Sequence, residues 1–322
     1  MTVSRQTLDR LSGETGFRPD ALEKVIRLGE LAADIGRQPI LSAALALKGG
    51  TALNLCFGAP RRLSVDLDFN YIASADRATM LEERPTIERL VEQMGRGQGY
   101  RVQWSADEHA GRKAHLRFFN AFGTADEVQI DLNFLFRMPL GEVSWRELWQ
   151  PGAGPPARVR VVSFAEAAAG KLVATLARGL PRDVYDVRRL PSLDPPGCID
   201  QRRFRRLFVA LAGILDRPLT EYGEDRLRIN DQQVRDQLEP MLTRDERVTA
   251  EELRLGAWQV MAPMLDIDEA EREFTRRLQA GDLLPELLFP DDPQLAERLA
   301  RHPALLWKAQ NAREHAKERG SR

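Results

Sequence analysis

The segment RRLSVDLDF, residues 61–69, constrains this chain more than any other stretch. Leu63, Val65, Leu67 and Phe69 alternate with Arg62, Ser64, Asp66 and Asp68. A period of two is the mark of a strand with one face on a core, so the segment predicts a half-buried strand over residues 62–71. The apolar set takes the core face, and the arginine, the serine and both aspartates share the other. Carboxylates two residues apart on a strand stand about 6.5–7 Å apart, close enough to reach one hard cation or a pair of them from a rigid platform. A lone pair of this kind is also what a solvated strand face presents, so its neighbours decide between the two readings.

A glycine pair lies upstream, in LALKGGTALNLCFG: an apolar run at Leu45–Leu47, then Gly49 and Gly50, then a short helix from Thr51. Glycines between a strand and a helix permit close backbone approach, and the helix N-terminus favours an anion such as a triphosphate. Downstream, VQIDLNF predicts another alternating strand. Val128, Ile130, Leu132 and Phe134 lie on one face, and Gln129, Asp131 and Asn133 on the other. Were that strand to pair beside the first, Asp131 would complete a carboxylate triad with Asp66 and Asp68; an ordinary edge-strand acid is the alternative. Magnesium takes oxygen ligands, commonly one or two carboxylates with water and substrate phosphate. Further on, Lys171, Thr175 and Arg178 share a helix face, and Asp183 and Asp186 lie one turn apart.

Composition narrows the chemistry. Four histidines and two cysteines, Cys56 and Cys198, leave no disulfide framework and no multi-cysteine zinc module, so carboxylates, lysine and arginine are the groups available. The formal net charge is −1, from 47 basic and 48 acidic residues, with no bulk basic coat. Local excess is present all the same. Residues 158–190 hold seven bases against three acids, and residues 301–322 six against two. If the substrate is a nucleic acid, the Arg178–Arg189 segment, QRRFRR at 201–206 and the tail are the candidate basic surfaces, a solvated, frayed helix end being the alternative for the tail. The first residues lack the apolar core of a signal peptide, and no apolar run approaches the roughly 18 residues of a membrane span; a cytoplasmic protein with no membrane partner is expected.

The predicted class is α+β: an N-terminal domain with a small mixed sheet, followed by a helical C-terminal domain. Helices are expected over 20–35, with Asp20 as N-cap, and over 80–95, 164–180 and 182–190; further strands are expected at 101–104 and 115–119. The turn-rich stretches PGAGPPA (151–157) and PSLDPPG (191–197) suggest three parts: residues 1–157, a helical segment 158–195 completing the active site, and helices over 196–322.

Taken together, KGGTAL, RxSxDLDF, the later strand aspartate and K-x6-R-x3-RDxYD resemble the AbiEii/AbiGii family of nucleotidyltransferase toxins, within the DNA-polymerase-beta-like superfamily and including the MenT-like tRNA nucleotidyltransferase toxins. The resemblance covers roughly residues 20–195. It implies a metal-dependent (Mg²⁺ or Mn²⁺) transfer of a nucleoside monophosphate from an NTP, with pyrophosphate leaving. By that likeness Lys48, Gly49, Gly50 and Thr51 meet the triphosphate, together with Arg62, Ser64 and Lys171. Asp66 and Asp68 bind metal, and Lys171 and Asp186 join them as catalytic residues. It further implies tRNA as substrate, modified at its 3′ acceptor end and often by pyrimidines, a block of translation, and a cognate antitoxin encoded next door. Ser64 matches a serine that is phosphorylated in some relatives. Transfer to a protein side chain or a small molecule, and a non-catalytic NTP-binding regulator, are the competing readings.

Overall fold

A computed structural model describes residues 3–152, 156–194, 197–199 and 201–320. The N-terminal part begins with helices α1 (Arg5–Thr15), α2 (Pro19–Arg37) and α3 (Pro39–Ala44), followed by strand β1 (Leu45–Lys48) and helix α4 (Gly49–Cys56). Strand β2 (Asp66–Tyr71), helix α5 (Arg77–Gly97) and strands β3 (Arg101–Trp104), β4 (Gly111–Phe119) and β5 (Ala125–Asn133) come next, then β6 (Ser144–Leu148) and β7 (Ala157–Val161). All seven strands form one mixed sheet in the order β3-β4-β5-β2-β1-β7-β6. β2 is central, antiparallel to β1 and parallel to β5. The expected α+β class is therefore what the chain adopts.

The core follows the alternation. Leu67 and Phe69 of β2, Leu45 and Leu47 of β1, Ile130 and Leu132 of β5 and Val159 and Val161 of β7 are all buried, beneath Leu22, Val25, Leu28 and Ile35 of α2. Helix α2 starts at Pro19, with its N-cap two residues before the one the sequence suggests. Arg18 holds the N-cap position without a side-chain cap, Pro19 follows with its fixed φ, and Asp20 sits in the first turn, ion-paired to Arg18.

The remaining helices are α6 (Phe164–Arg178), α7 (Pro181–Leu193), α8 (Arg202–Ala212), α9 (Asp231–Gln237), α10 (Ala250–Leu265), α11 (Glu269–Gln279), α12 (Pro293–Ala300) and α13 (Pro303–Gly320). Packing divides the chain into two units out of chain order. One comprises residues 1–137, 142–162 and 232–248; the other comprises residues 138–141, 163–231 and 249–322. Residues 158–161, expected in a helical segment, belong to strand β7, whose Val159 and Val161 point into the sheet core. Of the two turn-rich stretches, residues 153–155 and 195–196 lie outside the described residues.

The strand expected over 62–71 begins only at Asp66. The Leu63 amide donates to the Met241 carbonyl at 2.8 Å, and Arg62 forms a bridge with Leu242. Residues 62–63 thus spend their backbone groups on a segment that returns from far down the chain. Arg244 completes that return, its guanidinium donating to Ser12 Oγ at 2.7 Å.

Leu67 is fully buried in the central strand. Leu67→Ala should lower unfolding free energy by about 2–5 kcal/mol, measured by chemical denaturation.

Candidate active site

The geometry at the end of β1 is set by one register. Leu47 stands opposite Phe69, and Lys48 opposite Asp68, after which the chain turns directly into α4 at Gly49. Gly49 has φ of 72°, a left-handed conformation that side chains adopt at a cost, and a methyl group built there would collide with Oδ2 of Asp68. Helix α4 therefore starts at Gly49, not at Thr51, with its backbone pressed against the Asp68 carboxylate. Thr51 is wholly buried and donates its hydroxyl to the Asp66 carbonyl. Asn54 Nδ2 donates to the Gly50 carbonyl at 2.9 Å. The glycine motif is thus tied at Gly49 and at Thr51 to the strand that carries the acids, while the Gly50 carbonyl is held within α4.

Asp66 and Asp68 are half-buried on the face opposite Leu67 and Phe69, as the alternation requires. Ser64 is 4% exposed and donates its hydroxyl to Asp66 Oδ1 at 3.0 Å, which orients that carboxylate. Arg62 is buried as well, and its Nη1 donates to the Leu63 carbonyl at 2.8 Å.

Strand β5 pairs beside β2 as the triad requires, with Asp131 directly in register with Asp68. Asp131, however, carries an ion pair to Lys113 of β4 at 3.1 Å. Among the described residues no group of three or more His, Cys, Asp and Glu side chains is gathered tightly enough to hold a metal ion. The structure brings Asp66, Asp68 and Gly49 together and sets Asp131 beside them as a lysine's partner.

The other unit holds a second charged constellation. Lys171 on α6 is 6% exposed, and its Nζ lies 2.9 Å from Asp183 Oδ1 and 2.9 Å from Asp186 Oδ2, both on α7. Asp183 has no exposed surface and takes a second cation: Arg178 Nε donates to its Oδ2 at 2.6 Å and Nη2 to its Oδ1 at 3.0 Å. Burial pushes the Asp183 carboxyl up, but Lys171 and Arg178 outweigh it and hold it below the ordinary aspartate value. Thr175 donates back to the Lys171 carbonyl at 2.9 Å, within its own helix. Asp183 was visible in the sequence only as one member of RDxYD. Its part in joining two cations depends on α6 and α7 lying side by side.

Two other sequence features resolve differently. The arginines of QRRFRR are ion-paired within their own unit: Arg202 and Arg206 to Asp268, Arg203 to Asp292, and Arg205 to the buried Glu271 at 3.0 Å. Cys56 is a partly buried thiol pushed up to about 12 by desolvation, out of the range of a working nucleophile.

The fold is similar to that of MenT4, a nucleotidyltransferase toxin from Mycobacterium tuberculosis H37Rv. The TM-score is 0.60 at 22% sequence identity, over 92% of this chain and 98% of that one. No curated protein sequence gives a significant match. The protein is of the nucleotidyltransferase class. The model of the family described as nucleotidyl transferase AbiEii toxin, type IV toxin–antitoxin system, matches residues 35–280, well over half the chain, and the chain belongs to that family. The family implies an NTP substrate and an antitoxin partner. No helix among the described residues is long and apolar enough to cross a membrane.

Because its folded-state value is depressed below the ordinary 3.8, Asp183 contributes stability that is complete above that value. That contribution is lost as the pH falls through the lower folded value. Asp183→Asn should cost roughly 3–5 kcal/mol at neutral pH, by stranding Lys171 and Arg178 with one carboxylate fewer. It should also flatten the acid limb of the stability profile below about pH 4, measured by denaturation across pH.

Proposed function

We propose that this toxin transfers a nucleoside monophosphate, a pyrimidine one by family likeness, from an NTP to the 3′-hydroxyl of tRNA, and so blocks translation in the cytoplasm. The observation that carries the reading is the close approach of Gly49 to Asp68. It places the start of a helix, with its unpaired amides and positive dipole end, beside two strand carboxylates. Amides that attract phosphate, set next to acids that attract a divalent cation, are what a metal–triphosphate complex requires.

The donor set fits Mg²⁺ or Mn²⁺. Asp66 and Asp68 are hard oxygen donors on a rigid strand, Ser64 fixes the orientation of one of them, and two protein carboxylates suffice when substrate phosphate and water fill the other positions. Bound there, the cation would neutralise charge on the phosphates and orient them for in-line displacement. Asp131, paired with Lys113, stands in reserve as a third oxygen donor.

In this reading Gly49, Gly50 and Lys48 cradle the phosphates, Thr51 holds that cradle through its bond to the Asp66 carbonyl, and Arg62 would add positive charge by family likeness. Lys171 offers positive charge to the triphosphate. The 3′-oxygen attacks the α-phosphorus while the bond to the β-phosphate oxygen breaks and pyrophosphate leaves. Asp186 would either accept the hydroxyl proton or orient Lys171, with which it is ion-paired at 2.9 Å. Phosphorylation of Ser64 would replace the hydrogen bond to Asp66 with nearly two negative charges beside the acids and repel the incoming triphosphate.

Purified protein incubated with total tRNA, Mg²⁺ and each α-labelled NTP in turn should label the RNA 3′ end. Asp68→Ala should reduce labelling to about 1% or less, the scale seen when a group that stabilises transition-state charge is removed. No label with any of the four NTPs would overturn the tRNA reading, and labelling of a protein or a small molecule would redirect it. Ser64→Glu should lose most of the activity in the same assay.

A further inference from the structure

The sheet edge farthest from β3 carries a feature that the transfer chemistry does not use. Trp145 of β6 is 46% exposed. It walls a cavity of about 350 Å³ completed by Ala33, Gly36 and Arg37 of α2 and by Pro156 and Arg158. The Trp145 ring is held in place. Gly36 has no room for a side chain: a methyl group built there would run into the Arg158 carbonyl and lie 3.4 Å from the Trp145 ring. The end of α2 is thereby pressed against β7, and the indole stands as a fixed wall.

The charge around it favours one kind of occupant. The Arg37 side chain is 71% exposed and pairs with Asp34, which also accepts from Gln98. Arg158 is exposed, with Glu147 directly across the β6–β7 ladder. Arg160 lies opposite Trp145 and donates to the Ala43 carbonyl at 3.0 Å. Two exposed guanidinium groups beside an indole, in a concave site at the lower end of the size range for small-molecule pockets (about 300–1,000 Å³), match a nucleotide: a base to stack and a phosphate to neutralise. A protein partner would be expected to use a flatter and more apolar face. β6 is three strands from β2 in the same sheet, about 14 Å by strand spacing. An RNA whose 3′ end lies at the β2 acids can reach it with nucleotides upstream of the end.

We propose that Trp145, Arg37 and Arg158 form a subsite for a single-stranded nucleotide of the acceptor RNA, with the base stacked on the indole and its phosphate on the two guanidinium groups. This subsite rests on the reading that the acceptor is RNA. It holds the RNA by stacking and charge, with no demand on base identity, and takes no part in the bond-making step.

The test is the affinity of the full-length protein for a fluorescein-labelled single-stranded RNA of mixed sequence, measured by anisotropy across salt concentrations. Trp145→Ala should weaken binding about five- to a hundredfold, and Trp145→Phe should retain most of it. The double variant R37Q/R158Q should make the salt slope shallower by about 1.4, the share of two phosphate contacts on a single strand. A wild type that labels tRNA but binds RNA no better than Trp145→Ala overturns the subsite and leaves the transfer reading standing. A wild type that binds no RNA overturns both. If Trp145→Ala converts a dimer to a monomer in sedimentation while RNA affinity is unchanged, the face is a protein interface and the proposal fails.

Discussion

The contact between Gly49 and the Asp68 carboxylate is the constraint on which the rest of the N-terminal unit turns. It exists because β1 and β2 pair antiparallel with Lys48 opposite Asp68, so the chain leaves β1 at the level of the second acid. A residue with a Cβ would have to move the helix or the carboxylate. From that one approach follow the start of α4 against the acid face, and the burial of Thr51 and its bond to Asp66. The strand below is held by its apolar face and leaves both aspartates facing outward. A rigid, partly charged edge of this kind suits phosphoryl transfer, which asks a protein for positioning and charge more than for covalent chemistry.

Charge in this chain is a matter of placement. The net of −1 conceals arginines used in three different ways. Those of 202–206 are spent on acids of their own unit, an arrangement that serves packing. Arg178 and Lys171 are bound to Asp183, whose complete burial makes the pairing obligatory, since a lone carboxylate could not stay ionised there. Arg37 and Arg158 remain at the surface beside an exposed aromatic ring. The density of basic residues along the chain points to all three sets alike; only the last stands beside an exposed aromatic ring in a concave site.

Much of the fold is legible along the chain, and the exceptions share a cause. The alternation at Leu67 and Phe69, and at Val128 through Leu132, marks β2 and β5 because each strand buries one face. The glycine pair marks the β1–α4 turn. Strand β6 escapes notice because it is an edge strand, with Trp145, Arg146 and Glu147 all exposed and no apolar alternation to detect. Helix α1 buries only Leu8, Leu11 and Ser12, too few to form a stripe. The early end of the alternation at Arg62 and Leu63 could not be seen either, because their backbone partners, Met241 and Leu242, lie far along the chain.

The candidate site divides in the same way. The sequence alone determined which groups face outward on β2, since strand geometry leaves Asp66 and Asp68 no other face once Leu67 and Phe69 take the core. It likewise determined that the chemistry would rest on carboxylates and cations, because histidine and cysteine are nearly absent. Only the tertiary structure decided that Asp131 stands beside Asp68 yet answers to Lys113, that Asp183 binds two cations at once, and that Trp145 meets the end of α2. These depend on which strands and helices become neighbours. That is settled by packing of faces that are distant in sequence, and no local period encodes it.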